Sequence, residues 1–109
     1  MFAIRYAPRL ILDARGDDAP EGQRAFQQTV EYRTWHATLL ESVQQAVNDL
    51  YYGKPVLGIE DEKGNIKVDV VQLHVELTKA QNQMAKFKAL GFGPKRSRQV
   101  AVRMVKYDG

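Results

Sequence analysis

The chain has 109 residues, no cysteine, 44% apolar and 27% charged residues, and a formal charge of +3. That size suits one domain around one core, and the missing thiols exclude disulfides, thiolate metal sites and cysteine nucleophiles. No apolar run reaches the ~18 residues of a membrane span and Met1–Tyr6 is no secretory signal, so a cytoplasmic protein is expected.

The first fifteen residues carry two patterns. Phe2, Ile4 and Tyr6 alternate like a strand, whereas Leu10, Ile11 and Ala14 suit a helical turn with Pro8 in its first turn. The reading adopted is a short helix over about 8–14, followed by a turn at Gly16-Asp17-Asp18. Asp18-Ala19-Pro20-Glu21 then has the N-cap, first-turn proline and N3 glutamate of a helix start. From there Phe26, Val30, Ala37, Leu40, Val43, Val47 and Leu50 form one stripe at helical spacing, and Tyr32, Trp35, Leu39 and Ala46 form a second. The spacing predicts one helix over about 19–52, apolar on two faces. It would be ~50 Å long at 1.5 Å per residue, against a radius of gyration of ~13 Å for a domain of this size. A second subunit covering its free face is therefore expected.

Gly53-Lys54-Pro55 breaks that helix. Val56–Glu60 and Asn65–Val68 flank Asp61-Glu62-Lys63-Gly64, the pattern of a small β-hairpin. Asp69, with Gln72 three residues on, opens a second helix as a capping box. Val70, Leu73, Leu77, Ala80, Met84 and Phe87 give that helix a heptad stripe, and Leu90-Gly91-Phe92-Gly93-Pro94 stops it. Beyond Pro94 the strand-like alternation of Val100, Val102 and Met104 and the β-branched density of the segment favour extended structure after a short helical turn, with a helix as the alternative. The fold class expected is mainly α: an antiparallel helical hairpin (about 19–52 and 69–90) joined by the β-hairpin, with a short N-terminal helix and a basic C-terminal segment (91–109).

Charge is distributed unevenly. Residues 1–50 hold five cations and seven acids, 51–85 four and five, and 86–109 seven cations against Asp108 alone. A basic end on a near-neutral body fits phosphates or an acidic partner. Lys95, Arg96, Arg98, Arg103 and Lys106 are the candidate DNA contacts, as phosphate neutralisers more than base readers. Arg5, Arg9 and Arg15 are a second possible set.

Catalytic constellations are hard to assemble from the remainder. His36 and His74 have no ligand spacing around them. Glu60-Asp61-Glu62 reads as a solvated turn. Gly91–Lys95 lacks the ending of a phosphate-binding loop, and no Ser or Thr has an evident His/Asp partnership. No enzyme, metal or cofactor is expected, and no small-molecule substrate or membrane contact.

The second helix, with Leu77-Thr78-Lys79-Ala80 and Met84-Ala85-Lys86-Phe87, its Leu90–Pro94 loop and the basic residues beyond, resembles the phage terminase small subunits. Gly16, Phe26, Tyr32, Trp35 and Gly53 fall about where that family has comparable features, so the resemblance covers roughly residues 8–98. The chain departs from it at Asp69-Val70, where the family usually has Asn-Pro, and at Ser97, where an Arg is common. The resemblance implies a non-enzymatic subunit that forms a ring, binds viral double-stranded DNA and presents it to the large ATPase and nuclease subunit in the host cytoplasm. Phe26, Tyr32, Trp35, Leu39, Leu73, Leu77, Met84 and Phe87 would then pack the helices and subunits. Two rival readings are a small dimeric DNA-binding regulator and a structural assembly protein with no nucleic-acid role.

Overall fold

Phe2, Ile4 and Tyr6 set the architecture, because their alternation is that of a strand with one buried face. In the computed structural model, which describes residues 1–11 and 28–107, β1 runs over Phe2–Ile11 and β2 over Gln28–His36. The two pair antiparallel, with Ile4 opposite Thr34 and Tyr6 opposite Tyr32. Between Tyr6 and Arg9 the register shifts, so that Ala7 and Pro8 face Glu31 alone. This is a bulge, and a proline without an N–H is accommodated there. The short helix expected over 8–14 is therefore corrected as far as Ile11; residues 12–14 lie outside the described residues.

The long first helix is also corrected. Its proposed start at Asp18–Glu21, and Phe26 in its stripe, lie outside the described residues, and 28–36 is strand. QTVEYRTWH is dense in β-branched and aromatic residues, which suit a pleated surface. Helical spacing across Val30, Ala37 and Leu40 was coincidental. The helix proper, α1, spans Leu39–Tyr51 and starts at Thr38, whose hydroxyl accepts from the Glu41 amide at 3.1 Å. Thr38-x-x-Glu41 is itself a start signal, and it marks the boundary the stripe concealed. At about 20 Å, α1 no longer requires a second subunit to cover it, and the length argument for assembly falls away.

The β-hairpin forms as expected. β3 is Val56–Asp61 and β4 is Ile66–Asp69. The Asp61 carboxylate shapes its turn by accepting from the Lys63 and Asn65 amides, both at 2.9 Å. Those bonds, Asn65's foremost, hold Asp61 below its ordinary pKa. The hairpin is not isolated, since β3 pairs antiparallel with Phe2–Tyr6 of β1 and completes a four-stranded sheet in the order β2-β1-β3-β4. Gly58 permits the close approach of β3 and β4: a Cβ there would stand 2.9 Å from the Val68 carbonyl oxygen, at a backbone φ of +155°.

α2 spans Val70–Ala89, and both halves of the Asp69/Gln72 capping box are made. It ends where expected: Gly91, at φ +95°, turns the chain, its amide bonds Lys88 O, and the Phe92 amide bonds Phe87 O at 3.0 Å. These two bonds form a Schellman stop. The C-terminal segment is helical instead of extended: α3 covers Pro94–Arg103, with Gly93 as N-cap and Pro94 inside the first turn. Pro at N1 favours a helix there, and Ser97, Ala101 and Val102 supply its buried side. Local β propensity yields to that burial.

One core results. Ile4, Tyr6, Ile59 and Val68 from the sheet meet Val43, Ala46 and Val47 of α1 and Leu73, Leu77, Ala80 and Met84 of α2, with Ala101, Val102 and Val105 closing the far end. The helices cover one face of the sheet. The other face carries the row Trp35, Ala3, Glu60, Ile66, set by strand register. The fold is thus α and β, one antiparallel sheet layered with helices, and the mainly-α helical hairpin is corrected. Among the described residues, no helix is long and apolar enough to cross a membrane.

Candidate nucleic-acid interface

From Leu77 to Tyr107 the sequence has eight cations (Lys79, Lys86, Lys88, Lys95, Arg96, Arg98, Arg103, Lys106) and no acid. The fold places this stretch on α2 and on the C-terminal helix that packs against it. The Schellman stop at Gly91 and the start at Gly93-Pro94 leave four residues, Leu90–Gly93, between α2 and α3. A short Gly-containing turn thus joins two packed helices, the second of them basic. α3 packs chiefly on α2 and α1.

α3 divides its residues sharply. Ser97, Ala101 and Val102 face inward, and Lys95, Arg96, Gln99 and Arg103 are exposed. An open hollow of about 680 Å³ runs along the exposed side, lined by Gly93, Pro94, Lys95, Arg96, Gln99, Val100 and Arg103. On the α1 side, Glu41, Gln44, Gln45 and Asn48 face Arg98, Gln99 and Arg103 across a second hollow.

The five cations proposed from sequence differ in role. Arg96 lies over the Phe92 ring, 5.0 Å from its centroid, and Phe92 stacks at 5.4 Å on Phe87 at the end of α2. Its guanidinium is held in place by a cation–π contact while its N–H donors stay open to solvent. Lys95 and Arg103 have no acidic partner among the described residues, and neither does Lys106 just beyond α3. Arg98 turns the other way: it donates to the Asn48 side chain and lies 5.1 Å from the Tyr52 ring centroid. It fastens α3 to α1 and is removed from the contact set. Gln44 supports the same joint, donating to the carbonyls of Arg103 and Val105 at 3.2 Å each and so capping the end of α3. No spacing in the sequence signals these α1–α3 contacts, which span 50 residues or more.

The alternative cationic set is elsewhere. Arg5 and Arg33 neighbour each other on the sheet face opposite the helices and flank the buried Glu60, at 3.2 and 3.6 Å. Arg15, and the side chain of Arg9, lie outside the described residues. Among the packing residues, Leu73, Leu77 and Met84 are core, and Phe87 and Leu39 are half-buried. Tyr32 and Trp35 belong to β2 instead of a helix, on opposite faces of the sheet, and both remain about half exposed (55% and 50%).

A buried polar chain on the helix side is the other place where chemistry could reside. The Tyr6 hydroxyl donates to the Asp49 carboxylate, which also accepts from Gln45 at 2.9 Å and sits 3.6 Å from the Lys54 ammonium. Thr34 lies 3.4 Å from the Tyr6 oxygen and 3.3 Å from the His36 ring. Burial first, and then the Asp49 contact, push the Tyr6 pKa up to about 12. Tyr6 therefore stays protonated at neutral pH, and its bond to Asp49 clasps the sheet to α1. Glu60, Asp61 and Glu62 do not converge: Glu60 is buried on the sheet face opposite the helices, Asp61 serves its turn and Glu62 is exposed. Among the described residues, no three His, Asp or Glu side chains stand close enough to hold a metal.

Compared with protein-family models, with curated proteins and with solved structures, the chain matches none.

Proposed function

We propose that this chain is a non-catalytic, cytoplasmic nucleic-acid-binding protein that docks on the phosphate backbone of double-stranded DNA through the exposed side of α3. One observation carries the reading: Lys95, Arg96 and Arg103 on α3, which a four-residue turn sets off from α2, and Lys106 just beyond it are exposed without acidic partners among the described residues. Cations paired with neighbouring acids would repay little on meeting a phosphate. Unpaired ones release the counterions condensed on the duplex.

The implied role in a viral packaging machine is a narrower version of the same proposal. α2, its Leu90-Gly91 stop and the basic helix beyond support it. The helical hairpin no longer does, and neither does the length argument for a ring. A ring, and contact with a large terminase subunit, therefore need their own evidence, of which the mass in solution comes first.

Fluorescence anisotropy with a duplex of mixed sequence, titrated between 50 and 300 mM salt, tests the proposal. Each phosphate neutralised contributes about −0.9 to the log–log salt slope. Changing Lys95, Arg96 and Arg103 together to Ala is expected to weaken binding at every salt concentration and flatten the slope by about 2.7. Binding that ignores salt and these changes would overturn the reading. Capture of an acidic protein with no affinity for duplex would replace it with the protein-partner alternative.

A further inference from the structure

We infer that Gln99 is the base-reading residue of α3, entering the major groove of duplex DNA between cations that grip its two walls. The inference rests on the DNA-binding proposal and adds to it a mode of sequence recognition.

The exposed side of α3 is not uniformly cationic. At about 100° per residue, Lys95, Gln99 and Arg103 follow one another at intervals of about 40°, and Arg96 lies about 20° beyond Arg103. The exposed arc is thus about 100° wide, with Gln99 inside it and a cation towards either margin. Along the axis Gln99 stands midway between Lys95 and Arg103, which are about 12 Å apart at 1.5 Å per residue. The major groove is about 12 Å wide and admits a helix. In a helix seated in the groove, Lys95 at one margin of the arc and Arg96 and Arg103 towards the other reach phosphates on opposite walls, and Gln99 between them faces the groove floor.

The chemistry of that central position fits. Gln99 is exposed and, among the described residues, its amide makes no hydrogen bond, while the amides of Gln44, Gln45 and Asn48 nearby are all engaged in holding the fold. A glutamine amide offers a donor and an acceptor side by side, the pair that matches N7 and N6 of adenine. Arg98, the other side chain of α3 able to read a base edge from its middle, is committed to Asn48 and Tyr52. Glu41, in the hollow on the α1 side, stands on α1 and outside the arc, and Glu76, in a hollow between α2 and the end of α3, is paired with Lys79 at 3.4 Å.

The experiment is selection from a pool of duplexes with a randomised 20-base-pair core, followed by binding to single-base variants of the winner. Wild type is expected to enrich a motif with a required A·T pair, and Gln99→Ala to lose preference at that pair by about five- to hundredfold. Its affinity for unselected duplex and its salt slope should stay near wild type. Arg96→Ala should weaken all duplexes alike and keep the motif. A motif unchanged in Gln99→Ala, or no motif at all from a wild type that binds duplex with a steep salt slope, would overturn the assignment of Gln99 and leave the DNA-binding proposal standing. No binding of duplex at any salt concentration would overturn both.

Discussion

Arg96 and Arg98 are two positions apart on α3, and the structure gives them opposite fates. Truncating each to Ala separates a binding residue from a fastening one. Arg98→Ala removes a charge-donated hydrogen bond to Asn48, of about 1.5 to 3 kcal/mol, and a cation–π contact with half-exposed Tyr52, of about 0.5 to 1 kcal/mol. Asn48 and Tyr52 can partly rehydrate, which sets the expected loss at about 1.5 to 2.5 kcal/mol. In a domain of this size that is a fall in melting temperature of roughly 6 to 15 °C. Arg96→Ala loses only an exposed cation–π contact, about 0.5 to 1 kcal/mol, and so melts within a few degrees of wild type. On duplex DNA the order should reverse, with Arg96→Ala weakening binding and flattening the salt slope by about 0.9. Arg98→Ala, assayed well below its melting temperature, should keep a wild-type slope. Thermal melts by circular dichroism and anisotropy titrations on the same samples check both halves. An Arg98→Ala protein that melts like wild type and loses a unit of salt slope would refute the division of labour.

Four further outcomes follow from the packing. Tyr6→Phe leaves the buried Asp49 carboxylate without the donor on one of its oxygens, and should lower unfolding free energy by about 1 to 3 kcal/mol in urea titrations. The same clasp gives an alkaline signature. The Tyr6 pKa is raised from 10.0 to about 12 in the fold, so its contribution is complete below pH 10 and fades as pH rises to 12. Tyr6→Phe should lose most of the decline in stability that wild type shows over that window. Gly58→Ala drives a Cβ against the Val68 carbonyl at a left-handed backbone angle; a destabilisation of about 1 to 3 kcal/mol is expected in urea, with faster exchange of the amides between β3 and β4. Leu73→Ala, at a fully buried position, should cost about 2 to 5 kcal/mol by the same titration.

The sequence by itself determined what is decided within a few residues. Asp69 and Gln72 reach each other across one helical turn, Gly91 alone can turn the chain at φ +95° without penalty, and Asp61 folds back on the amides two and four residues ahead. The second helix, its stop and the β-hairpin were therefore legible, as was the basic C-terminal end, which is a matter of counting. Tertiary structure alone decided whether Tyr32 and Trp35 sit on a helix or a strand. A helix period and a strand period can both be traced through Phe26–Leu50, and it is pairing with β1, some 30 residues away, that selects the strand. The same holds for α3. Its β-branched residues favour extended structure locally, and a helix wins because Ala101 and Val102 gain a core made by α1 and α2. Which arginine faces water is settled there too. Lys95, Arg96, Arg98 and Arg103 are equivalent as charges in a sequence, and only the packing of α3 on Asn48 and Tyr52 turns one of them inward and leaves Gln99 in the middle of the others.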